Sequence, residues 1–255
     1  MFDAKKEVDD IVNFISDYYK KNNLSGCVLG ISGGKDSAVV SALMVKALGS
    51  DNVIGLTLPC HSNELDMIDA KQISDYYGFK LLNIDLTDTF DTFKQEIFKL
   101  GKYREDVYLN SDINLKPRLR MASLYYMAAM LSAVNNKPYL VVGTSNKCEL
   151  YVGYFTKGGD NVSDIAPIGD YTVSEVIKLG EELKVPREIL YKVPSDGLSN
   201  QSDEDKLGVS YKDIEKHINQ APLPEEISKK ITKLYNGSRH KFNLPIYRRN
   251  DEKNK

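Results

Sequence analysis

Gly26-Cys-Val-Leu-Gly-Ile-Ser-Gly-Gly-Lys-Asp-Ser37 is the stretch that decides the fold of this chain. Its first half, Gly26–Ile31, is an apolar run of the length of a buried strand; its second half breaks that run with glycine, serine and aspartate, and Ala38–Leu48 then reads as a helix. A strand that ends in a glycine-rich turn and passes into a helix places that turn at the carboxyl end of a sheet, where open α/β folds bind their ligands. Gly33 and Gly34 permit positive φ and close backbone approach. Ser32 and Ser37 add hydroxyls, and the helix start turns N–H groups and the positive end of its dipole toward the loop. Together these make a nest for phosphate oxygens. Asp36 would repel phosphate on its own, and its presence makes sense if it holds Mg2+ that bridges those phosphates. In an ordinary turn Asp36 would be no more than a helix cap, but the full SGGKDS string after an apolar strand disfavours that. The spacing is neither that of a Walker A loop nor that of a dinucleotide GxGxxG turn.

The alternation continues outward. Val8, Ile11, Val12, Ile15, Tyr18 and Tyr19 fall at helical spacing before the loop. After it, strands are expected at Asn52–Leu58, Phe79–Ile84 and Pro138–Gly143, and helices at Glu64–Tyr77, Asp91–Leu100 and Leu115–Val134, with Pro117 near the first turn of the last. The expectation is an α/β fold: a Rossmann-like, doubly wound parallel sheet flanked by helices, of the adenine nucleotide α-hydrolase-like kind, with right-handed crossovers. Past Gly143 glycines and aspartates cluster. A Thr172-x-x-Glu175 capping box opens a helix to about Leu183, and Ser210–Asn219 and Pro224–Asn236 look helical. Residues 144–255 are read as helices and loops around the mouth of the sheet, so that residues 1–255 form a single domain.

Bulk properties narrow the function. The chain has 255 residues, 42% hydrophobic and 27% charged, with a formal net charge of -2, so a broad basic footprint for nucleic acid is not expected. No apolar run approaches a bilayer span and no signal peptide opens the chain, which points to the cytoplasm and to no membrane partner. Cys27, Cys60 and Cys148 are an odd number without a CxxC pair, which reads as reduced, structural thiols. His61 and His217 have no partners at metal-ligand spacing.

The SGGKDS string resembles the pyrophosphatase loop of the N-type ATP pyrophosphatases, which cleave ATP between the α- and β-phosphates and pass AMP to a substrate oxygen. Further blocks resemble the NAD synthetases within that superfamily. They are Asn114-Leu-Lys-Pro-Arg-Leu-Arg-Met121, Gly143-Thr-Ser-Asn-Lys-Cys-Glu149, Gly153-Tyr-Phe-Thr-Lys-Gly-Gly-Asp160, Asp164-Ile-Ala-Pro167, the segment Pro194–Gly208 and His240-Lys241. Their order along the chain is that of the family, and seven blocks in order are specific where any one is weak.

The resemblance implies an ammonia-dependent enzyme that amidates deamido-NAD to NAD in the last step of NAD biosynthesis, with ATP as co-substrate and Mg2+ as cofactor. It implies that Gly30, Ile31, Ser32, Gly33, Gly34, Lys35, Asp36 and Ser37, with Thr144 and Ser195, bind ATP. Asp36 and Glu149 fall at metal-ligand positions, and Arg118, Lys157, Asp164, His240 and Lys241 at positions that contact deamido-NAD. Asp36, Lys157 and Asp164 are the expected catalytic residues. Two carboxylates with phosphate oxygens suit Mg2+, an arginine grips pyrophosphate through two parallel bonds, and a lysine in a glycine-rich loop answers developing phosphate charge. Arg120 is a rival to Arg118. Ser195 stands where the family has threonine, and Val173 stands where it often has lysine, with Lys178 as one replacement. A glutaminase domain has no room before the loop, so free ammonia or ammonia from a partner is implied, and relatives of this length are homodimers. A tRNA-thiolating enzyme is the nearest rival but would need a cysteine pair and a basic surface; a nucleotide sensor without turnover is the other.

Overall fold

Cys27, Val28 and Leu29 have no solvent exposure, the state of a strand covered by helices on both faces. They belong to β1 (Gly26–Gly30), which in the computed structural model is paired in parallel with β2 (Val53–Thr57). Beyond β2 lies β3 (Lys80–Asn83), and on the far side of β1 lies β4 (Tyr139–Val142), so the order is β3-β2-β1-β4 with every pairing parallel. The structure describes residues 2–62, 64–101, 105–192 and 203–247. Each strand falls within its expected span and is slightly shorter.

Helices sort by face. α1 (Ala4–Lys21) starts at Asp3, whose carboxylate accepts from Lys6 N, and buries Val8, Ile11, Ile15 and Tyr19. α2 (Lys35–Leu48) packs with it over Cys27 and Leu29. α3 (Glu64–Tyr77) completes that layer beside β2 and β3. On the other face α4 (Thr87–Phe98) and α5 (Glu105–Asn135) cover Val28, Ile54 and Val141. The alternation of Cys27, Val28 and Leu29 between these two clusters is the period of two expected of a strand. α6 (Lys147–Val152) follows β4, and α7 (Val173–Glu182) returns to the α1–α2 layer with α8 (Arg187–Leu190). α9 (Asp203–Leu207), α10 (Tyr211–Ile218) and α11 (Glu225–Ser238) close a smaller cluster around Cys148, Ile214 and Ile231.

Three helices start earlier than expected. α4 begins at Thr87 and not at Asp91. α2 begins at Lys35 and not at Ala38; Gly34 is its cap residue, so Asp36 is not the cap of an ordinary turn, in keeping with the sequence reading. α5 begins ten residues earlier than expected, so Pro117 lies inside the helix and not in its first turn. An interior proline removes the bond to the carbonyl four residues back, here that of Ile113, at a cost of roughly 3 kcal/mol. Its ring is used in packing: a Cβ on Gly159 would meet Pro117 at 2.9 Å, so the glycine-rich segment after α6 lies directly on the proline. The three cysteines are free and buried.

Candidate active site

The loop after β1 is held by its own hydroxyls. Ser37 Oγ donates to Gly34 O (2.9 Å) and accepts from Ser32 N (3.3 Å), while Ser32 Oγ accepts from Gly34 N (3.3 Å) and lies 3.2 Å from Ser37 Oγ. Gly33 has φ +76°, and a Cβ there would stand 2.6 Å from the carbonyl oxygen of Asp66 in α3. No side chain caps α2. Among the described residues no side chain accepts from its first N–H groups, which leaves them to the loop, as an anion cradle requires.

The carboxylate pair comes from two helix starts. Asn146 opens α6 with a capping box: its wholly buried side chain accepts from Cys148 N (3.0 Å) and Glu149 N (3.1 Å), and Glu149 Oε2 accepts from Asn146 N (3.0 Å). The Nδ2 of Asn146 extends to 3.5 Å from Asp36 Oδ1, so one buried residue joins both carboxylates, Asp36 through its side chain and Glu149 through its backbone N–H. Burial, and after it the charge of Asp36, holds the Glu149 carboxyl well above the usual carboxylate range. Lys35 Nζ lies 3.3 Å from Asp36 Oδ2. A half-buried pair of carboxylates with a single lysine against it suits a hard divalent cation. Among the described residues no group of three or more His, Cys, Asp or Glu gathers. The protein would thus supply two oxygen donors and leave the rest to phosphate and water, as Mg2+ sites generally do.

Beside the loop opens a cavity of about 600 Å³, within the range of small-ligand sites. Gly30, Ile31, Ser32, Thr144 and Lys241 line it, whereas Asp36 and Glu149 are not in its wall. Lys116 and Arg120 of α5 reach it from the opposite side. Lys116 is 8% exposed, with its ammonium 5.4 Å from the Phe90 ring centroid, and burial lowers its pKa. The Arg120 guanidinium is fixed by Nε to Leu58 O (3.0 Å) and NH2 to Ser62 Oγ (3.3 Å).

Four of the basic residues expected at the second substrate come together. Arg118 Nε donates to Lys157 O (3.2 Å), and Lys157 Nζ donates to His240 O (2.8 Å). Lys241 Nζ donates to Gly153 O and Phe155 O, each at 2.6 Å. The chain after α11 is thereby strapped to the glycine-rich segment. Asp164 has other partners: its Oδ2 accepts from Val141 N (2.7 Å) and its Oδ1 from Tyr125 OH (3.1 Å). Burial, then the Asp164 charge, pushes the Tyr125 phenol up to about 12. Ser195 lies outside the described residues. Lys178 is not at the site, because its ammonium sits 5.5 Å from the Phe2 ring centroid, over the α1 side of the molecule. Sequence reasoning missed the roles of Asn146 and Lys116. Asn146 carried a signal, the N-x-x-E capping box; Lys116 carried one too, its place in the Asn114–Met121 block, where no role was read for it.

A parallel sheet that presents a glycine–serine phosphate cradle with a carboxylate pair beside it defines a nucleotide-binding α/β enzyme. The chain belongs to the NAD synthase family, whose model matches residues 7–245. It is 35% identical over 242 residues to the NH3-dependent NAD(+) synthetase of Carboxydothermus hydrogenoformans, covering 94% of this chain and 96% of that one. Among solved structures it resembles the NMN synthetase of Francisella tularensis (TM-score 0.87, 33% identity, 97% of this chain and 99% of that one). It also resembles the NH3-dependent NAD synthetase of Campylobacter jejuni (TM-score 0.76, 28% identity, 98% and 100%).

Proposed function

We propose that this protein is an ammonia-dependent NAD synthetase that converts deamido-NAD to NAD at the expense of ATP, with release of AMP and pyrophosphate. The observation that carries this reading is the convergence at the carboxyl end of the sheet of an uncapped helix start, a half-buried carboxylate pair and a strapped basic cluster, in a chain of this family. In the first step a nicotinate carboxylate oxygen attacks the α-phosphorus of ATP, and the bond to the bridging oxygen of the β-phosphate breaks. In the second, ammonia attacks the carbonyl carbon of the mixed anhydride, the bond to the AMP oxygen breaks, and the nitrogen loses a proton. Loop amides from Gly30 to Ser37 hold the phosphates, with Thr144 and Ser195 as further ATP contacts. Mg2+ bound by Asp36 and Glu149 would neutralise charge on the leaving pyrophosphate. Arg118, Lys157, His240 and Lys241 orient the deamido-NAD phosphates and Lys157 answers the developing charge. Asp164 is the proposed proton acceptor. Much of the acceleration comes from holding two nucleotides in line.

The exposed face of α5 carries Tyr126 (75% exposed), Met130 (45%) and Val134 (77%) at spacings of four, one stripe of a helix. This supports a homodimer paired through α5. Free, separated thiols are in keeping with a cytoplasmic enzyme. Among the described residues no helix is long and apolar enough to cross a membrane.

An isotope experiment tests the chemistry. Deamido-NAD labelled with 18O in its carboxylate transfers one label to AMP if the carboxylate is adenylated; AMP without label, whether or not pyrophosphate carries it, rules out that route. A second reading rests on the higher TM-score and identity of the Francisella NMN synthetase: the acceptor is the nicotinate mononucleotide, with the same carboxylate and the same steps. Comparison of kcat/KM for the two acceptors separates the readings.

A further inference from the structure

Lys35 is the first residue of α2, where the positive end of the helix dipole disfavours a cation. Its side chain is nonetheless 8% exposed, with the ammonium 3.3 Å from Asp36 Oδ2. Tyr211 stands over it, with the ring centroid 6.0 Å from Nζ. The Lys35 charge also acts on Glu149, opposing the effect of burial there. The other basic groups of this neighbourhood are engaged elsewhere: Lys147 pairs with Asp170 at 3.0 Å and Lys178 lies over Phe2. Lys35 is thus paired with Asp36.

We propose that the Lys35 side chain is a mobile phosphate-binding group, held on Asp36 in the free enzyme and transferred to the β,γ-phosphates of ATP when a divalent cation takes Asp36. This rests on the nucleotide and Mg2+ reading above and goes beyond the loop backbone to a side chain. Asp36 cannot serve an ammonium and a metal ion equally well, so the two compete for it. Once displaced, a buried ammonium without a partner is strongly disfavoured. The anion that arrives with the metal restores a partner, and the phosphate cradle is formed by the same loop. Metal binding and nucleotide binding are therefore coupled through this one side chain: Mg2+ alone binds weakly because it must break the ion pair, and nucleotide removes that penalty.

The test is calorimetric binding of MgCl2 alone, and of α,β-methylene-ATP with Mg2+, to wild type and Lys35→Met, with thermal melts to confirm folding. The proposal expects shifts of opposite sign in the variant. Mg2+ alone binds about tenfold more tightly, and the nucleotide about tenfold more weakly, the scale of one charged hydrogen bond. If both affinities fall, or neither changes, Lys35 is structural or idle and the proposal is overturned. Lys35→Gln gives the same pair of readings should the methionine variant not fold. Failure of wild type to bind the nucleotide analogue at all overturns the functional reading itself, a result distinct from unchanged variants of a wild type that binds.

Discussion

Replacing Gly33 by alanine tests whether the loop geometry is imposed by close packing. Two costs add. At φ +76° an L-residue loses about 1–2 kcal/mol in the left-handed region. The new Cβ would also lie 2.6 Å from the Asp66 carbonyl oxygen, so the first turn of α3 or the loop must move by nearly 1 Å. α3 does not yield freely, because Lys192 holds Asp66 (2.9 Å) and Asp69 (2.6 Å) together, and overpacking of this kind costs about 1–3 kcal/mol. The expected loss is about 2–5 kcal/mol, or on the order of 10 °C in Tm for a chain of this size. Gly78→Ala is the control. Its φ is +74°, but its nearest neighbour is Ser50 Cβ at 4.0 Å, so it retains the backbone cost of about 1–2 kcal/mol and none of the clash. Urea unfolding of both variants by circular dichroism, with nucleotide affinity measured alongside, gives the difference. Equal destabilisation of the two, or unchanged nucleotide binding by Gly33→Ala, would refute the argument.

Glu149→Gln keeps an oxygen for Asn146 N and so keeps the cap of α6, while removing a carboxyl that burial and Asp36 disfavour as an anion. Melting of the free protein is expected to be unchanged or slightly higher, with turnover down about 100-fold if the residue holds the metal; a large loss of Tm instead would make it purely structural. Lys241→Met removes both bonds to the Gly153 and Phe155 carbonyls and is expected to cost about 2–3 kcal/mol. It should raise KM for deamido-NAD by more than it raises KM for ATP; equal rises would contradict its place at the second substrate. Chelation with EDTA should abolish the stabilisation that α,β-methylene-ATP confers in a thermal melt, and retention of the full shift would argue against a metal-bridged triphosphate.

Much of the fold was legible because buried parallel strands declare themselves as short apolar runs, and the one at Gly26–Ile31 ends in residues with few other uses. What was not legible had local causes. The start of α5 is polar enough, from Glu105 to Asn114, to hide its periodicity, and Pro117 imitates a first-turn proline although Gly159 is what accommodates it. The carboxylates Asp36 and Glu149 lie over a hundred residues apart, and a sequence does not show that Asn146 joins them. The direction of the Lys35 side chain, at a helix start where cations are unfavourable, combines a local contact with Asp36 and a tertiary one with Tyr211, and the second is not visible in the sequence. Conversely, the expected grouping of Arg118, Lys157, His240 and Lys241 is consistent with the hydrogen bonds and ties that connect them, whereas Asp164 is held by Val141 and Tyr125, and its part in proton removal rests on the proposal.

The central claim is tested most directly by product stoichiometry. The purified protein is supplied with ATP, Mg2+, deamido-NAD and ammonium, without glutamine, and NAD, AMP and pyrophosphate are quantified, with Asp36→Ala as the control. One NAD and one pyrophosphate per AMP, lost in the control, is the predicted result. ADP and phosphate in place of AMP and pyrophosphate, or nucleotide bound without any amide formed, would contradict it.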